Sequence, residues 1–385
     1  MRLHRNTLLR IVTTSGSFSL LKGQLRFLSQ KGWNVIGVAG EPENRLQQLT
    51  EAEGITSIFI PHLVRPISPA NDLKAFLELI RAIKKEKPLI VHANTPKGSL
   101  LGMLAAWYCR VPHRIYTVTG LRFETATGLF RRLLIAMERI TCMCATKVIP
   151  EGDGVAATLR RERITAKPLK KILNGNINGV DLEYYSRNQS LEEAARQIKA
   201  KIGEGFTFIF VGRIVRDKGI IELIEAFQRL QKEHSECRLV LLGRQESDLD
   251  PIRPSTLQAI KDNPAIFEAG WQNDVRPWLA AADALAFPSY REGFPNVVMQ
   301  AGAMSLPSIV TDINGCNEII IEGENGYIVP PRDPQALYQR MKNMVEDTAT
   351  TKMMAQMARP LIAERYEQQA VWEAILSEYQ KLTKQ

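Results

Sequence analysis

Apolar and polar positions along the first half of the chain predict strands that alternate with helices. Short continuous apolar runs predict buried strands, and apolar residues repeated every three or four positions predict helices. The predicted strands are residues 8–13, 34–39, 55–60, 89–92 and 114–118. The predicted helices are residues 20–30, 41–53, 71–85 and 98–109, and residues 14–18 form a Ser/Gly turn. This alternation is typical of βαβ units and a parallel sheet.

The second half repeats the same scheme. Its predicted strands are residues 207–211, 238–242, 265–268, 284–288 and 307–311. Its predicted helices are residues 219–232, 275–282 and 296–304. The polar segment 187–201 is typical of a linker or a connecting helix, and residues 365–382 have the spacing of one more helix.

The length of 385 residues exceeds what one ordinary core supports, so two domains are expected. We predict an α/β fold of two facing, Rossmann-like, doubly wound domains, residues 1–188 and 189–364. The helix from about 365 to 385 packs back on the first domain in this prediction. Ligands of such sheets bind beyond the carboxyl ends of the strands, and two facing sheets create a cleft between domains.

Charge is distributed unevenly along the chain. Residues 1–190 contain 28 Lys and Arg against 14 Asp and Glu, a net of +14, and the rest carries −5, which together give the formal +9. The basic half therefore predicts a partner that is anionic: a phospholipid surface, a phosphorylated acceptor or nucleic acid.

The cysteines and the N-terminus exclude some classes of protein. Five cysteines without a CxxC pair indicate reduced thiols rather than a disulfide framework. The N-terminal apolar run is interrupted by Arg10 and fits a first strand better than a cleaved leader. The sequence has no apolar run long enough to span a bilayer.

The segment FVGRIVRDKGI, residues 210–220, has the pattern of a buried strand followed by a turn and a helix that begins at Gly219. Such junctions bind phosphate, because backbone N–H groups and the helix dipole face the anion. Arg213 and Lys218 could neutralise a diphosphate there. The alternative is two solvated charges on a loop.

The segment PSYREGFPNVVMQAGAM, residues 288–304, begins where a predicted strand ends and continues into a helix. Glu292 lies at the end of the strand, where a carboxylate can accept hydrogen bonds from two sugar hydroxyls. Gln300 lies on the first turns of the helix, and its amide could bind a ribose. The alternative for Glu292 alone is a solvated surface charge.

Together these motifs resemble those of the retaining family-4 glycosyltransferases, which have the GT-B fold. The shared pattern is GR…DKG, GW…D, PSYREGFPNVV…GAMSLPSIVTD and NEII…GENGYIVPPRD, which spans residues 207–333. The first half is similar more loosely, through SGSF…LKGQLRFLSQKGWNV, VHANTPKGSLLG and ILNGNINGVD. The chain looks most similar to bacterial transferases that build capsule, O-antigen or lipid-linked glycans.

The resemblance implies a role for each matching residue. Arg213 and Lys218 bind the donor diphosphate, Glu292 contacts the donor sugar, and these three form the predicted catalytic set. Gln300 stands where the family has an acidic ribose contact. The predicted donor-binding residues are Gly16, Gly212, Arg213, Lys218, Gly243, Glu292, Gly293, Phe294, Pro295, Asn296, Val297 and Gln300.

The predicted acceptor contacts lie in the first half. His92 ends a predicted strand and could face the cleft, and Lys97 follows that strand. Thr119 stands where the family often has a His before a Gly. For Gly16 the alternative is an ordinary tight turn, and for Lys97 a surface lysine. The resemblance implies that no strong protein base and no metal is required, because the leaving phosphate helps to deprotonate the acceptor.

Residues 128–140, GLFRRLLIAMERI, combine apolar and Arg side chains. A basic amphipathic helix of this kind can lie in a membrane interface, and the alternative is a helix packed on its own domain. With the resemblance, this predicts a protein on the cytoplasmic face of the inner membrane. Its donor would be a nucleotide sugar, with a UDP-sugar favoured over a GDP-sugar, and its acceptor would be lipid-linked or a glycan.

Three other functions stay open from the sequence. A sugar-nucleotide epimerase of the same fold would form product without acceptor. A basic nucleic-acid-binding protein is compatible with the charge, although no helix-turn-helix, zinc-finger or RNA-binding aromatic motif is present. A non-catalytic donor-binding homologue is suggested by Gln300 and Thr119.

Overall fold

The computed structural model describes residues 6–246 and 250–383. It divides the chain into two compact units: unit 1, Met1–Gly179 with Gln368–Gln385, and unit 2, Val180–Glu367. The boundaries expected from sequence were residues 188 and 365. In the structure the chain leaves unit 1 after Gly179 and returns after Glu367.

Unit 1 contains a six-stranded parallel sheet with the strand order β3-β2-β1-β4-β5-β6. The strands are β1 (Thr7–Thr14), β2 (Asn34–Gly40), β3 (Thr56–Phe59), β4 (Ile90–Ala93), β5 (His113–Val118) and β6 (Lys147–Pro150). The strand β6 was not predicted, since only four residues form it and Lys147 and Pro150 bound a short apolar pair.

Helices cover both faces of this sheet. They are α1 (Gln24–Gln30), α2 (Glu43–Ala52), α3 (Pro69–Glu86), α4 (Pro96–Tyr108), α5 (Gly128–Cys144) and α6 (Asp153–Arg161). Because successive side chains of a strand point to opposite faces, Leu9 and Ile11 pack with α3, α4 and α5, whereas Leu8 and Val12 pack on the other side. The predicted turn 14–18 and the start of the predicted helix at 20 are instead one 3₁₀ segment, Ser15–Leu21.

Unit 2 has its own six-stranded parallel sheet, with the order β12-β11-β10-β7-β8-β9. The strands are β7 (Thr207–Val211), β8 (Arg238–Leu242), β9 (Ile266–Gly270), β10 (Ala284–Phe287), β11 (Ser308–Thr311) and β12 (Gly326–Val329). The helices are α7 (Gln189–Ile202), α8 (Ile220–Glu233), α9 (Pro254–Asp262), α10 (Arg276–Ala281), α11 (Asn296–Ala303), α12 (Cys316–Ile319), α13 (Pro334–Glu346) and α14 (Thr348–Tyr366). The segment 187–201 is therefore largely a helix rather than a linker.

The last helix, α15 (Gln368–Thr383), belongs to unit 1. Its buried residues Val371, Ile375 and Tyr379 pack on the sheet face that carries Leu8 and Val12. In the described part of the chain, no helix is both long and apolar enough to cross a membrane. The two doubly wound units agree with the α/β fold class predicted from the alternating pattern.

Each sheet reverses its strand order at one point, which is where open α/β sheets bind ligands. In unit 1 the reversal lies between β1 and β4, and in unit 2 between β7 and β10. The loops that follow these four strands contain nearly all the residues singled out from the sequence.

Candidate functional site

The motif residues of unit 2 meet at its strand-order reversal. Arg213 and Lys218 follow β7, and Glu292 follows β10, the strand that pairs with β7. Parallel neighbours end at the same edge of a sheet, so two segments some 75 positions apart in sequence, as Lys218 and Glu292 are, come together there. The structure thus brings together the three residues predicted to act on the donor.

Lys218 and Glu292 form an ion pair through Nζ and Oε1. Their side chains are only 15% and 16% exposed, so water screens the pair weakly. The hydroxyl of Ser289, which is fully buried, donates a second hydrogen bond of 2.9 Å to the same carboxylate oxygen. The carboxylate is therefore held in one place by a cation and a hydroxyl.

Gly219 makes this approach possible. Its φ of +72° is in the left-handed region, and a Cβ there would lie 2.0 Å from the carbonyl oxygen of Pro288. A residue with a side chain would push the β7 loop away from the β10 loop. The glycine that begins α8 is thus required for the contact between Lys218 and Glu292.

Arg213 lies beside two carboxylates. Its Nη1 donates to Glu246 Oε2 at 3.0 Å, its Nη2 lies 3.9 Å from Asp217 Oδ2, and its side chain remains 35% exposed. Arg291 also faces Asp217, at 3.5 Å. A partly exposed guanidinium of this kind can leave its carboxylate partners and pair with a phosphate instead. Arginine commonly binds phosphate in a bidentate manner.

Gly243 lets the ends of β7 and β8 approach closely, whereas Gly212 lies against a ring, since a Cβ on it would be 3.1 Å from Phe210 Cζ. A Cβ on Gly243 would lie 1.7 Å from the carbonyl oxygen of Gly212. The two predicted glycines therefore have a structural reason to be there, whatever they bind.

The helix α11 starts directly behind Glu292. Its N-cap is Pro295, whose side chain makes no capping hydrogen bond. The chain before it is fixed by packing: Phe294 is buried against Tyr366, with ring centroids 5.4 Å apart, and Gly293 lies against Gly315. A rigid helix N-terminus of this kind favours an anion in front of it.

Gln300 shares the half-exposed side of α11 with Asn296 and Val297. These positions are spaced by three and four, which places them on one face of the helix. Within the described part of the chain, the Gln300 amide has no hydrogen-bond partner. It is therefore available to bind a hydroxyl.

The neutral thiol of Cys316 borders the same carboxylate. Burial raises its pKa well above the ordinary value, Glu292 raises it further, and Lys218 acts in the opposite direction. Cys316 was not predicted as a site residue. It contributes bulk and no charge next to Glu292.

In unit 1 the loops after β1 and β4 are joined by threonines. The hydroxyl of Thr95 accepts from the N–H of Thr13 at 2.7 Å, and the N–H of Gly98 donates to the Thr13 hydroxyl at 2.9 Å. The hydroxyl of Thr119 donates to the carbonyl of Asn94 at 2.6 Å. Thr119 is thus half-buried and positions the end of β4.

Asn94 stands out in this region. Its side chain is 1% exposed, and within residues 6–246 and 250–383 neither its Oδ1 nor its Nδ2 has a hydrogen-bond partner. Buried amides without partners cost about 1–3 kcal/mol. Such a group at the carboxyl edge of a sheet is a candidate ligand contact.

Two predicted acceptor contacts have hydrogen-bond partners inside unit 1. His92 is buried, and both ring nitrogens are bonded, Nδ1 with the Tyr379 hydroxyl at 2.6 Å and Nε2 with the Thr117 hydroxyl at 2.7 Å. Lys97 is buried too, and its ammonium donates to Asp72 Oδ1 at 2.6 Å. Each side chain is thus paired inside unit 1, and a role for these two residues in acceptor binding stays a prediction.

His92 remains neutral for a physical reason. Burial lowers its pKa well below the ordinary value, and the charges of Arg10 and Lys147 lower it further. Its bonds to Thr117 and to Tyr379 connect β4 with β5 and with α15. His92 therefore supports the packing of the C-terminal helix.

Gly16 lies in the 3₁₀ segment rather than in an open glycine loop. A Cβ there would be 3.5 Å from the Arg45 guanidinium, an ordinary contact, so the backbone does not require glycine at this position. A role for Gly16 in binding the donor stays a prediction.

The sequence analysis missed several residues of the two sites. Ser289 and Arg291 lie within three positions before Glu292 inside the motif itself, and this closeness in sequence was the available signal. Glu246 and Asp217 pair with Arg213, and Asn94 stands two residues after His92. No local pattern distinguishes an unpartnered Asn from a bonded one.

The described residues contain no group of three or more His, Cys, Asp and Glu side chains arranged to bind a metal ion. The cations at the unit 2 site are Arg213, Lys218 and Arg291.

Two family models match the chain. Residues 205–347 match the model described as glycosyl transferases group 1, and residues 11–151 match the model described as glycosyl transferase 4-like. The first spans the site loops of unit 2, and the second spans the sheet of unit 1.

Curated relatives extend over most of the chain. It is 32% identical over 381 residues to the capsular polysaccharide biosynthesis glycosyltransferase CapM of Staphylococcus aureus, with 97% of both chains covered. It is 26% identical over 298 residues to the UDP-Gal:alpha-D-GlcNAc-diphosphoundecaprenol alpha-1,3-galactosyltransferase of Escherichia coli, covering 77% of this chain and 76% of that one.

Solved structures share the fold. The Anabaena Alr3699/HepE structure with UDP and glucose aligns with a TM-score of 0.82 at 18% identity, covering 97% of this chain and 99% of the other. A sucrose-phosphate synthase from Thermosynechococcus elongatus aligns with a TM-score of 0.78 at 19% identity, covering 98% of each chain.

Proposed function

The chain belongs to the family-4 glycosyltransferases of the GT-B fold, and we propose that it transfers a sugar from a UDP-sugar to a lipid-linked or polysaccharide acceptor. In this proposal the anomeric configuration is retained, and the product is part of a cell-surface glycan. Names of relatives support the acceptor class, because one acts in capsule biosynthesis and another on a diphosphoundecaprenol-linked sugar. Neighbouring structures that contain UDP and UDP-glucose support the donor class.

The observation that carries the proposal is the arrangement of Lys218, Arg213 and Glu292 at the strand-order reversal of unit 2. Two cations and a helix N-terminus suit a diphosphate, and a carboxylate held beside them suits sugar hydroxyls. Few other ligands need both sets of groups within one site. A nucleotide sugar carries a diphosphate directly next to a polyhydroxylated ring.

The cations would act on the leaving group. As the bond between the sugar C1 and the phosphate oxygen breaks, negative charge grows on the diphosphate, and Arg213 and Lys218 stabilise it without having to move far. The first-turn N–H groups of α11 add to this stabilisation. Removing one such group typically costs about 10²–10³ in turnover in other enzymes.

Retention would follow from attack on the face that the leaving group occupied. The acceptor hydroxyl oxygen forms the new bond to C1, and its proton passes to the oxygen of the departing phosphate. The nucleoside diphosphate leaves with both electrons of the broken bond. This route needs no protein base, which fits a site where Glu292 is ion-paired with Lys218.

We also propose that transfer requires no metal ion, since Arg213 and Lys218 can provide the positive charge that a divalent cation would otherwise supply. Full turnover after exhaustive chelation would support this. Loss of turnover that added Mg²⁺ or Mn²⁺ restores would contradict it.

The acceptor would be reached from the cytoplasmic face of the inner membrane, with unit 1 on the lipid surface. The outward side of α5 presents apolar residues at helical spacing: Leu129 is 81% exposed, Leu133 49% and Met143 71%. Arg132 and Arg139 are exposed on the same helix. Exposed apolar side chains beside cations suit an anionic lipid interface.

The decisive experiment measures UDP release from a panel of UDP- and GDP-sugars, with and without a lipid-linked acceptor. The proposal expects UDP only when acceptor is present, and a product whose anomeric configuration, read by proton NMR, equals that of the donor. Nucleotide-sugar isomerisation without acceptor would indicate an epimerase. Donor binding without turnover on any acceptor would indicate a non-catalytic homologue.

A further inference from the structure

A basic pocket lies in unit 1 at the edge of the sheet opposite to the site loops. It is formed where α3 and α4 end and where the chain enters β4 and β5, and its volume is about 400 Å³. Its lining includes Lys84, Lys87, Tyr108 and Arg110. Because the strands are parallel, the loops with Asn94 and Thr119 are at the other end of the sheet.

Three cations face this pocket without a counter-ion. Lys84, Lys87 and Arg110 have no carboxylate within 4.0 Å among the residues that the structure describes, whereas nearby Glu86 lies 3.9 Å from Lys85. The Nζ of Lys84 lies 5.7 Å from the ring centroid of Tyr108. Three unpaired cations around one concavity create a positive potential that favours an anion.

The backbone at two of these cations is unusual. Lys87 has a φ of +44° and Arg110 a φ of +56°, both in the left-handed region. Each follows the last turn of a helix, where glycine is the favoured residue because it adopts this conformation without strain. The pocket therefore carries cations at both positions where local backbone stability favours glycine.

Helix dipoles offer a second explanation, because a basic residue near a helix C-terminus is favourable in any case. The two explanations differ in what a glycine substitution does to binding. If Lys87 and Arg110 only stabilise the helix ends, replacing them by glycine should not change the binding of any ligand.

The pocket has an exposed aromatic side chain. Tyr108 lines it and is 58% exposed, and the neighbouring Trp107 is 57% exposed. Tryptophan and tyrosine side chains with one apolar and one polar side are typical of the membrane–water boundary. A soluble anion such as inorganic phosphate has no apolar part that could contact these aromatic side chains.

We propose that this pocket binds the phosphate of an anionic phospholipid headgroup, with Trp107 and Tyr108 at the level of the headgroups. The helices α3, α4 and α5 cover the same face of the sheet, so the pocket and the exposed side of α5 belong to one helical layer. The inference rests on the membrane association proposed above and adds a headgroup site to it.

The test combines Lys87→Gly and Arg110→Gly in one variant. Relief of the left-handed conformation is expected to keep the melting temperature unchanged or raise it by about 2–4 °C. Sedimentation with phosphatidylcholine vesicles that contain phosphatidylglycerol should be weakened about fivefold for each cation removed. If Lys87 and Arg110 acted only on the helix ends, the variant would not combine equal or higher stability with weaker lipid binding.

The matched control is Arg163→Gly. Arg163 is an exposed cation of unit 1 with a φ of +51°, after the end of α6 and outside the pocket lining. This variant should bind the same vesicles as tightly as the unmodified protein. The same loss per cation removed in the control as in the double variant would mean that only net charge matters, and the pocket proposal would be overturned.

Other outcomes separate this inference from the proposed function. If the unmodified protein binds the anionic vesicles and the double variant binds them equally well, the headgroup site is wrong and the transferase proposal stands. If the unmodified protein binds no vesicles but is stabilised by inorganic phosphate, the pocket takes a soluble anion and the lipid assignment fails. The unmodified protein, the double variant and the control should transfer sugar equally well to a water-soluble acceptor analogue. The reason is that the pocket belongs to unit 1, whereas Glu292 and Arg213 belong to unit 2.

Discussion

The ammonium of Lys218 and the carboxylate of Glu292 are bonded to each other. In the proposed reaction the ammonium binds the diphosphate of the donor and the carboxylate binds its sugar. The ion pair therefore keeps two buried, opposite charges compensated until the donor provides a partner for each. The donor must break this pair, so the two side chains are expected to be energetically coupled.

Glu292→Gln should reduce transfer by at least about 10² while the protein stays folded, because the neutral amide accepts sugar hydroxyls less strongly. UDP affinity should change little or rise, since Lys218 loses its competing partner. Turnover and UDP binding are measured side by side, with melting temperature as the folding control. Normal turnover in this variant would remove Glu292 from the site.

Arg213→Ala should weaken UDP binding about tenfold or more, because a charge-assisted phosphate contact is worth about 1.5–3 kcal/mol. Arg216→Ala is the matched control: Arg216 lies on the same loop, is 63% exposed and pairs with Asp250 at 3.0 Å. Isothermal titration with UDP should separate the two variants. Equal affinities would indicate that Arg213 only organises Glu246 and Asp217.

Gln300→Ala should lower UDP affinity about fivefold, which corresponds to one hydrogen bond of about 1 kcal/mol. Gln300→Glu should bind at least as well as the unmodified protein, since a carboxylate accepts more strongly from ribose hydroxyls. Gln339→Ala provides the control, because Gln339 is exposed on α13 and bonds only Asn343 among the described residues. A ribose contact is contradicted if 2′-deoxy-UDP and UDP bind the unmodified protein equally.

Asn94→Leu should leave the melting temperature unchanged or raised, because a buried amide without partners costs about 1–3 kcal/mol. Acceptor-dependent transfer should nevertheless fall at least about tenfold if the amide binds acceptor. UDP binding, measured in parallel, should be unaffected. A variant that is less stable and fully active would show that Asn94 has a structural role.

The contribution of Glu138 to the stability of unit 1 should decrease as the pH rises from about 4.5 to 7. Burial raises the pKa of Glu138 from 4.5 to about 7, while the hydrogen bond from the Tyr116 hydroxyl, 2.8 Å long, acts in the opposite direction. A raised carboxyl pKa means that the folded state holds the proton more tightly, so this contribution is complete below pH 4.5 and lost above pH 7. The shift corresponds to roughly 3 kcal/mol.

Glu138→Gln removes the titrating group and keeps an acceptor for Tyr116. Its melting temperature should vary less between pH 5 and pH 8 than that of the unmodified protein, with the larger gain at pH 8. Thermal unfolding at a series of pH values measures this difference. Parallel curves for the two proteins would mean that Glu138 does not titrate in this range.

The sequence by itself determined the fold class and the donor-site motifs. Strand and helix periodicity is a local property, so the alternating βαβ pattern could be read along most of both halves, with errors at short elements such as β6 and β12. Arg213, Lys218 and Glu292 were found because each stands directly after a predicted strand. Parallel strands end at a common edge, which brings such residues together without further information.

Tertiary structure alone decided which polar side chains are available. His92 near the end of β4 and Lys97 after it are at positions expected of acceptor contacts, yet His92 bonds Tyr379, which is 287 positions away, and Lys97 bonds Asp72. Asn94, between them, has no partner within the described residues. The pocket with Lys87 and Arg110 likewise arises only when two helix ends meet. Partners are chosen by three-dimensional packing, which no local pattern encodes.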